Sequence, residues 1–282
     1  MQVGVLGALQ VRRGDEALEV AGGRLGTLLA CLALSAGRPV PRDTLIDAIW
    51  DVATPSDAGH SLQALVSRLR RALGPGDWIG SSAAGYTLAL SAEAVDALLF
   101  EELAARGGEA LRAGDAPAAL AMLTEADALW RGPALGDLVA AAPFARDAAA
   151  RLEDRRRAAA VDRIDAALAT GAAPASLLRQ LDDLAAADPL NERVAARRLR
   201  ALAAAGRSAD ALRAYEALRR QLDDELGAVP SAELAGSTAR RGRRIGRGCR
   251  QRPPPSRRHV ASSPTACPRT SPSRAARTCA SA

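Results

Sequence analysis

Apolar residues recur at helical spacing in three short segments near the start of the chain, with glycine and proline between them. Leu25, Leu28, Leu29 and Leu32 give one stripe over residues 24–36, ended by Gly37 and Pro39-Val40-Pro41, and Leu45, Ile46, Ile49 and Trp50 give a second over residues 42–50. The third segment, residues 54–73, opens with Thr54 as a candidate N-cap, Pro55 at the first helical position and Asp57 completing a capping-box pattern. Its apolar stripe is Leu62, Leu65, Val66, Leu69 and Leu73; His60, Gln63, Ser67 and Arg71 fall opposite, flanked by Arg68 and Arg70. Gly74-Pro75-Gly76 stops that helix. Alternating stretches at residues 3–6, 9–11 and 17–20, with a turn at residues 13–16, predict short strands before the helices. Trp78-Ile79 and residues 86–90, around a small-residue turn at 81–85, predict a hairpin after them. Strands, three helices and a terminal hairpin describe a winged helix.

From about Val95 the pattern becomes helical throughout. AGDAPAALAML at residues 113–123 recurs as AGRSADALRAY at 205–215, a glycine turn followed by a helix with paired small and large apolar positions; TGAAPASLLRQL at 170–181 is a weaker copy ending near Asp188-Pro189. Such units resemble tetratricopeptide repeats, which bury their faces by stacking and bind protein or themselves. A generic alanine-rich helical bundle is the plainer alternative.

Between His60 and Leu73 there are three arginines and no carboxylate, so one face of the third helix offers amide, hydroxyl and guanidinium donors. Those groups reach base edges and phosphates in a major groove. The same residues also suit an ordinary amphipathic helix with a solvated basic face.

DTLIDAIW at residues 43–50, LQALVSRLRRALG at 62–74 and GYTLAL at 85–90 resemble the winged-helix effector domain of OmpR-type regulators, in the variant of the Streptomyces antibiotic regulatory protein family. ALWRGPALGDL at 128–138, PFARDAAARLEDRR at 143–156 and AGRSADALRAYEALRRQLDDELG at 205–227 resemble the bacterial transcriptional activation domain that follows it in that family. The resemblance implies an α+β winged-helix DNA-binding domain over residues 1–92 and an all-α, tetratricopeptide-like domain over 95–235. It also implies activation of transcription, in a biosynthetic gene cluster for secondary metabolites. A homodimer would bind directly repeated sites in double-stranded DNA, with RNA polymerase as partner.

Charge is unevenly placed. All 38 basic residues are arginine, and 12 of them lie in residues 236–282, which hold no acidic residue; the body therefore carries 6 − 12 = −6. Residues 1–92 balance eight arginines with eight carboxylates, so the DNA-binding case rests on the cluster Arg68, Arg70 and Arg71 and predicts modest affinity for a single copy. The tail, with only Ile245 and Val260 as branched aliphatics, cannot bury a core and is expected to be disordered. A basic arm gripping phosphates, a spacer and an out-of-frame remnant are its three readings.

Enzyme chemistry finds little material. The two histidines, His60 and His259, lie on the third helix and in the tail, and a chain without lysine cannot form a phosphate-binding G-x-x-x-x-G-K loop. Gly22 to Gly26 reads as a strand-to-helix turn, and Cys31, Cys249, Cys267 and Cys279 show no metal-ligand spacing. No cofactor, metal or catalytic site is expected. With no run of 18 uncharged apolar residues and no signal peptide, the chain is expected to be soluble and cytoplasmic, with no membrane partner.

The candidate DNA contacts within residues 58–71 are His60, Gln63, Ala64, Ser67, Arg68, Arg70 and Arg71, with Tyr86 and Thr87 on the wing. Gln63 suits a bidentate contact to adenine, and Arg70 and Arg71 suit guanine or phosphate. Arg68 is read alternatively as an ion-pair partner of a helix carboxylate, and Tyr86 as a core cover. His60 stands where relatives in the family often have asparagine. The competing function is a repeat-based adaptor whose winged helix no longer binds DNA.

Overall fold

The computed structural model describes residues 1–20, 22–50, 54–232 and 234. Three antiparallel strands open the chain, β1 (Gln2–Gly4), β2 (Gln10–Arg13) and β3 (Glu16–Leu18), paired in that order. Val3 lies opposite Val11 and Val11 opposite Leu18, so one face of the sheet carries the branched side chains inward. Then come α1 (Gly23–Ala33), α2 (Arg42–Trp50), α3 (Ala58–Leu73) and the hairpin β4 (Ile79–Ser82) and β5 (Gly85–Leu88), the winged-helix order expected from the sequence.

Three boundaries differ from the sequence pattern for local physical reasons. α3 begins at Ala58, not at Thr54, because Asp57 is itself the N-cap: its carboxylate accepts the His60 amide at 2.9 Å. α1 ends at Ala33, and residues 34–37 turn back through hydrogen bonds from Ser35 to Leu32 and Ala36 to Ala33. The first strand pairs only to Gly4, because beyond it the backbone changes partner. The Val5 and Leu6 amides donate to the Asp96 carboxylate, and the Leu6 and Val5 carbonyls accept from Arg131 and Leu135.

α1 is buried from Leu25 to Ala33 without interruption. A helix apolar on every side belongs at the centre of a core, and here the N-terminal sheet, α2, α3 and the segment around Leu138 all pack around it.

The second half is helical: α4 (Asp96–Arg112), α5 (Ala116–Ala128), α6 (Pro143–Ala169), α7 (Leu178–Ala187), α8 (Glu192–Ala204) and α9 (Ser208–Leu226). The repeat seen in the sequence is a repeated turn. Gly114, Gly171 and Gly206 all have positive φ, and the residue after each donates to the carbonyl five positions back, at 2.9, 2.9 and 2.8 Å. α4 with α5 and α8 with α9 are the two regular helical hairpins. In the weaker copy the chain leaves the turn through a short 3₁₀ segment at Pro174–Leu177 before α7. α6 is the spine between them: Ala145, Ala148 and Leu152 face the first core, Val161 and Ile164 a later one. Arg197 on α8 grips Asp165 on α6 through Nε and Nη2, at 2.8–3.1 Å, across that junction.

One hydrophobic core runs without a break from Val3 to Leu152, so packing continues past residues 92–95. The whole of the expected tail, residues 236–282, with Cys249, Cys267, Cys279 and His259 in it, lies outside the described residues.

Candidate nucleic-acid interface

α3 presents a polar face because its five large apolar residues, Leu62, Leu65, Val66, Leu69 and Leu73, are all turned into the core. His60, Gln63, Ala64, Ser67, Arg68, Arg70 and Arg71 are left exposed. At about 100° per residue, Ser67 and Arg71 lie within about 20° of His60, so these three define the middle of the face. Ala64 and then Arg68 fall about 40° and 80° to one side, Gln63 and then Arg70 about 60° and 80° to the other.

The two edges meet different neighbours. On the Arg68 side, Ala64 and Arg68 line a recess with Gly22, Gly23, Arg24, Trp50, Pro55 and Ser61. Arg68 makes no ion pair among the described residues, so the reading of it as a structural partner to a helix carboxylate gains no support there. Arg24 brings a second cation to this recess. The sequence pattern did not single it out, although an arginine directly after a glycine turn and before a helix was the available signal.

On the other side the wing begins. Arg70 donates through Nε and Nη2 to the carbonyl oxygen of Ile79 in β4, at 3.2 and 2.7 Å. Arg71 points away from this contact, at the middle of the exposed face. Both arginines sit in the last turn of α3, where cations complement the partial negative charge of the helix C-terminus.

The wing itself requires a correction. Tyr86 is only 4% exposed and forms a backbone bridge with Val40, giving and receiving a hydrogen bond at 3.0 and 2.8 Å. Arg42 stacks over its ring with the guanidinium carbon 5.6 Å from the centroid. Tyr86 therefore covers the core and does not offer its ring to a phosphate; β5 is the inner strand of the wing, and alternation turns Tyr86 inward. Thr87, half-buried, pairs with Gly80 across the hairpin. The turn of the wing, Ser82 to Gly85, carries no charge.

No cluster of histidine, cysteine and carboxylate side chains able to hold a metal occurs among the described residues, and no helix among them is long and apolar enough to cross a membrane. The Cys31 thiol is buried on α1, and burial pushes its pKa up to about 11.

Comparison with known proteins gives this geometry a context. The sequence model described as bacterial transcriptional activator domain matches residues 95–240, and the one described as transcriptional regulatory protein, C terminal, matches residues 22–87. The chain is 36% identical to the regulatory protein AfsR of Streptomyces griseus over 231 residues, covering 82% of this chain and 23% of that protein. It is 34% identical to the transcriptional regulator RedD of Streptomyces coelicolor, of which it covers 68%, and 33% identical to the regulatory protein DnrI of Streptomyces peucetius, of which it covers 89%; each match takes in 83% of this chain. It thus spans about a quarter of AfsR but most of DnrI. Among solved structures, Mycobacterium tuberculosis EmbR in complex with a low-affinity phosphopeptide superposes with a TM-score of 0.80 at 29% identity, over 86% of this chain and 65% of that one. Proteins of this kind are transcriptional regulators, not enzymes. On the paired domain matches and the coverage of RedD and DnrI, the chain belongs to the Streptomyces antibiotic regulatory protein family of transcriptional activators.

Proposed function

We propose that the chain recognises a specific double-stranded DNA sequence by laying the His60–Ser67–Arg71 face of α3 in a major groove, and activates transcription from there through contact with RNA polymerase. The observation that carries this reading is the exposed, carboxylate-free face of α3, with the wing hairpin held against its edge through Arg70. Arg71 at its centre suits guanine, Gln63 toward the wing suits adenine, and Arg24 with Arg68 suits the phosphates along the opposite edge. The names of the relatives support control of an antibiotic or other biosynthetic gene cluster as the setting.

Two copies on directly repeated sites are the arrangement we favour, because residues 1–92 carry no net charge and one copy alone gains little from counterion release. The helical hairpins then supply surfaces for pairing and for the polymerase. A mobility-shift titration of the full chain on DNA flanking its own gene, repeated at several salt concentrations, tests the reading. Saturable binding to a repeated site, weakening steeply with salt, is the expected result. Equal affinity for native promoter fragments and random DNA at physiological salt would leave the repeat-based adaptor as the better account.

A further inference from the structure

The wing is held on its two sides by different means. β5 is anchored to the segment between α1 and α2 by main-chain hydrogen bonds: Gly37 donates to Leu88, and Val40 exchanges two bonds with Tyr86. Gly85 makes this approach possible, since a Cβ there would collide with the Val40 carbonyl oxygen. β4 is the outer strand. Ala89 donates to Trp78 at 2.8 Å, which makes Trp78 and Ala89 a hydrogen-bonded pair and leaves the next pair, Ile79 and Leu88, with their polar groups turned away from each other. The Leu88 carbonyl is thereby free to meet Gly37, and the Ile79 carbonyl faces outward from an open edge.

Arg70 fills that edge. Two of its guanidinium nitrogens converge on the Ile79 oxygen, and among the described residues this is the one side-chain hydrogen-bonded link between α3 and the wing strands. A guanidinium held by two donors on one carbonyl is oriented along the helix-to-wing seam, with Nε and Nη2 both committed to protein.

We infer that Arg70 is a positioning residue which fixes the wing against the recognition helix, and not one of the DNA contacts. This rests on the DNA-binding reading above, in that the wing's placement matters because it flanks the groove that α3 enters. Loss of the clamp frees β4 to swing about its β5 anchorage, so the cost to binding comes from a less organised surface and not from a lost charge.

The test is Arg70→Met, which keeps the length and packing of the stem but has no donors, compared with Arg68→Met and the unchanged chain. Hydrogen exchange of the free protein is read over residues 77–90, and DNA affinity is read against salt. The expected result is faster exchange in β4 of the free protein, by about tenfold, for Arg70→Met only. With it, specific affinity falls while the slope of log affinity against log salt is unchanged, whereas Arg68→Met lowers that slope by about one. Unchanged exchange in β4, or a salt slope that drops for Arg70→Met as for a lost phosphate contact, overturns the inference. If the unchanged chain itself binds no DNA specifically, the DNA-binding reading fails, and the exchange measurement still decides whether Arg70 holds the wing. Arg70→Lys gives a further arm: a phosphate contact is largely rescued by the retained charge, and rescue of affinity without rescue of β4 protection also overturns it.

Discussion

Replacing Asp96 with alanine should cost the folded chain about 2–5 kcal/mol, although the residue lies outside the winged-helix elements, at the first position of α4. The Val5 and Leu6 amides, in residues with no exposed surface, donate to its two oxygens at 2.7 and 3.1 Å. Without the carboxylate both amides are buried and unpaired, at about 1–3 kcal/mol each. The third partner, Arg131, adds little. Its Nη2 lies 2.9 Å from Asp96 with about a third of its side chain exposed, so water takes over its solvation when the carboxylate goes. Asp96→Asn keeps one carbonyl acceptor and should cost about half as much. Urea denaturation of the full chain, followed by circular dichroism, supplies both numbers. A loss below about 0.5 kcal/mol for Asp96→Ala would refute the reasoning, since it would mean that water or a backbone shift satisfies both amides.

Three further outcomes follow from the same structure. Gln63→Ala should reduce discrimination between the preferred site and random DNA by about 1–3 kcal/mol, measured by competition binding; equal loss on both DNAs would take the base-reading role away from Gln63. Gly85→Ala should destabilise the fold by about 2–4 kcal/mol in thermal or urea unfolding, because φ is +130° and the added methyl meets the Val40 carbonyl; unchanged stability would show that the wing is not anchored there. Cys31 should resist alkylation in the native chain at pH 8, read by peptide mapping, because burial raises its pKa from 9.0 to about 11. The linked effect on stability has a definite sign: between about pH 9 and 11 the unfolded chain releases this proton and the folded chain does not, so this residue's contribution makes stability fall across that window. Labelling of native Cys31 as fast as in denaturant would contradict its burial.

The winged-helix order and the composition of the α3 face were legible in the sequence because both depend on local periodicity. The five residues Leu62 to Leu73 that define the stripe are the five that are buried. The recurring glycine turn was legible for a similar reason, as only glycine enters the left-handed region freely, and Gly114, Gly171 and Gly206 do so. What escaped was everything set by partners distant in the chain. Asp96 reads as a first-turn helix acid, yet it serves amides some 90 residues away. Tyr86 reads either as a wing contact or as a core cover, and its burial and its bridge to Val40 decide for the core. Arg70 and Arg71 are adjacent and identical in type; their different surroundings follow from which edge of α3 the hairpin lies against, a tertiary fact. Thr54 reads as the N-cap with Asp57 as its partner, yet Asp57 itself caps α3, since the acceptor type alone does not say which residue the first turn starts from.

The arginines of the first 92 residues show why a helix with a good reading face still implies a weak single copy. Arg12 donates to the Asp15 carbonyl, Arg13 pairs with Glu16 and reaches the Leu73 carbonyl at the end of α3, Arg42 stacks on Tyr86, and Arg70 holds Ile79. These cations build the scaffold that aims α3. Arg24, Arg38, Arg68 and Arg71, exposed and outside any ion pair among the described residues, are the cations left over for DNA. So few phosphate or base contacts give a single copy a shallower salt dependence than a bound pair, and little nonspecific grip. Affinity must then come from a preorganised surface, which loses little freedom on binding, and from a second copy bound alongside, whose effective concentration multiplies two modest interactions. A rigid wing and a core that continues from the sheet into α4 and α6 serve the first requirement; the directly repeated sites proposed here serve the second.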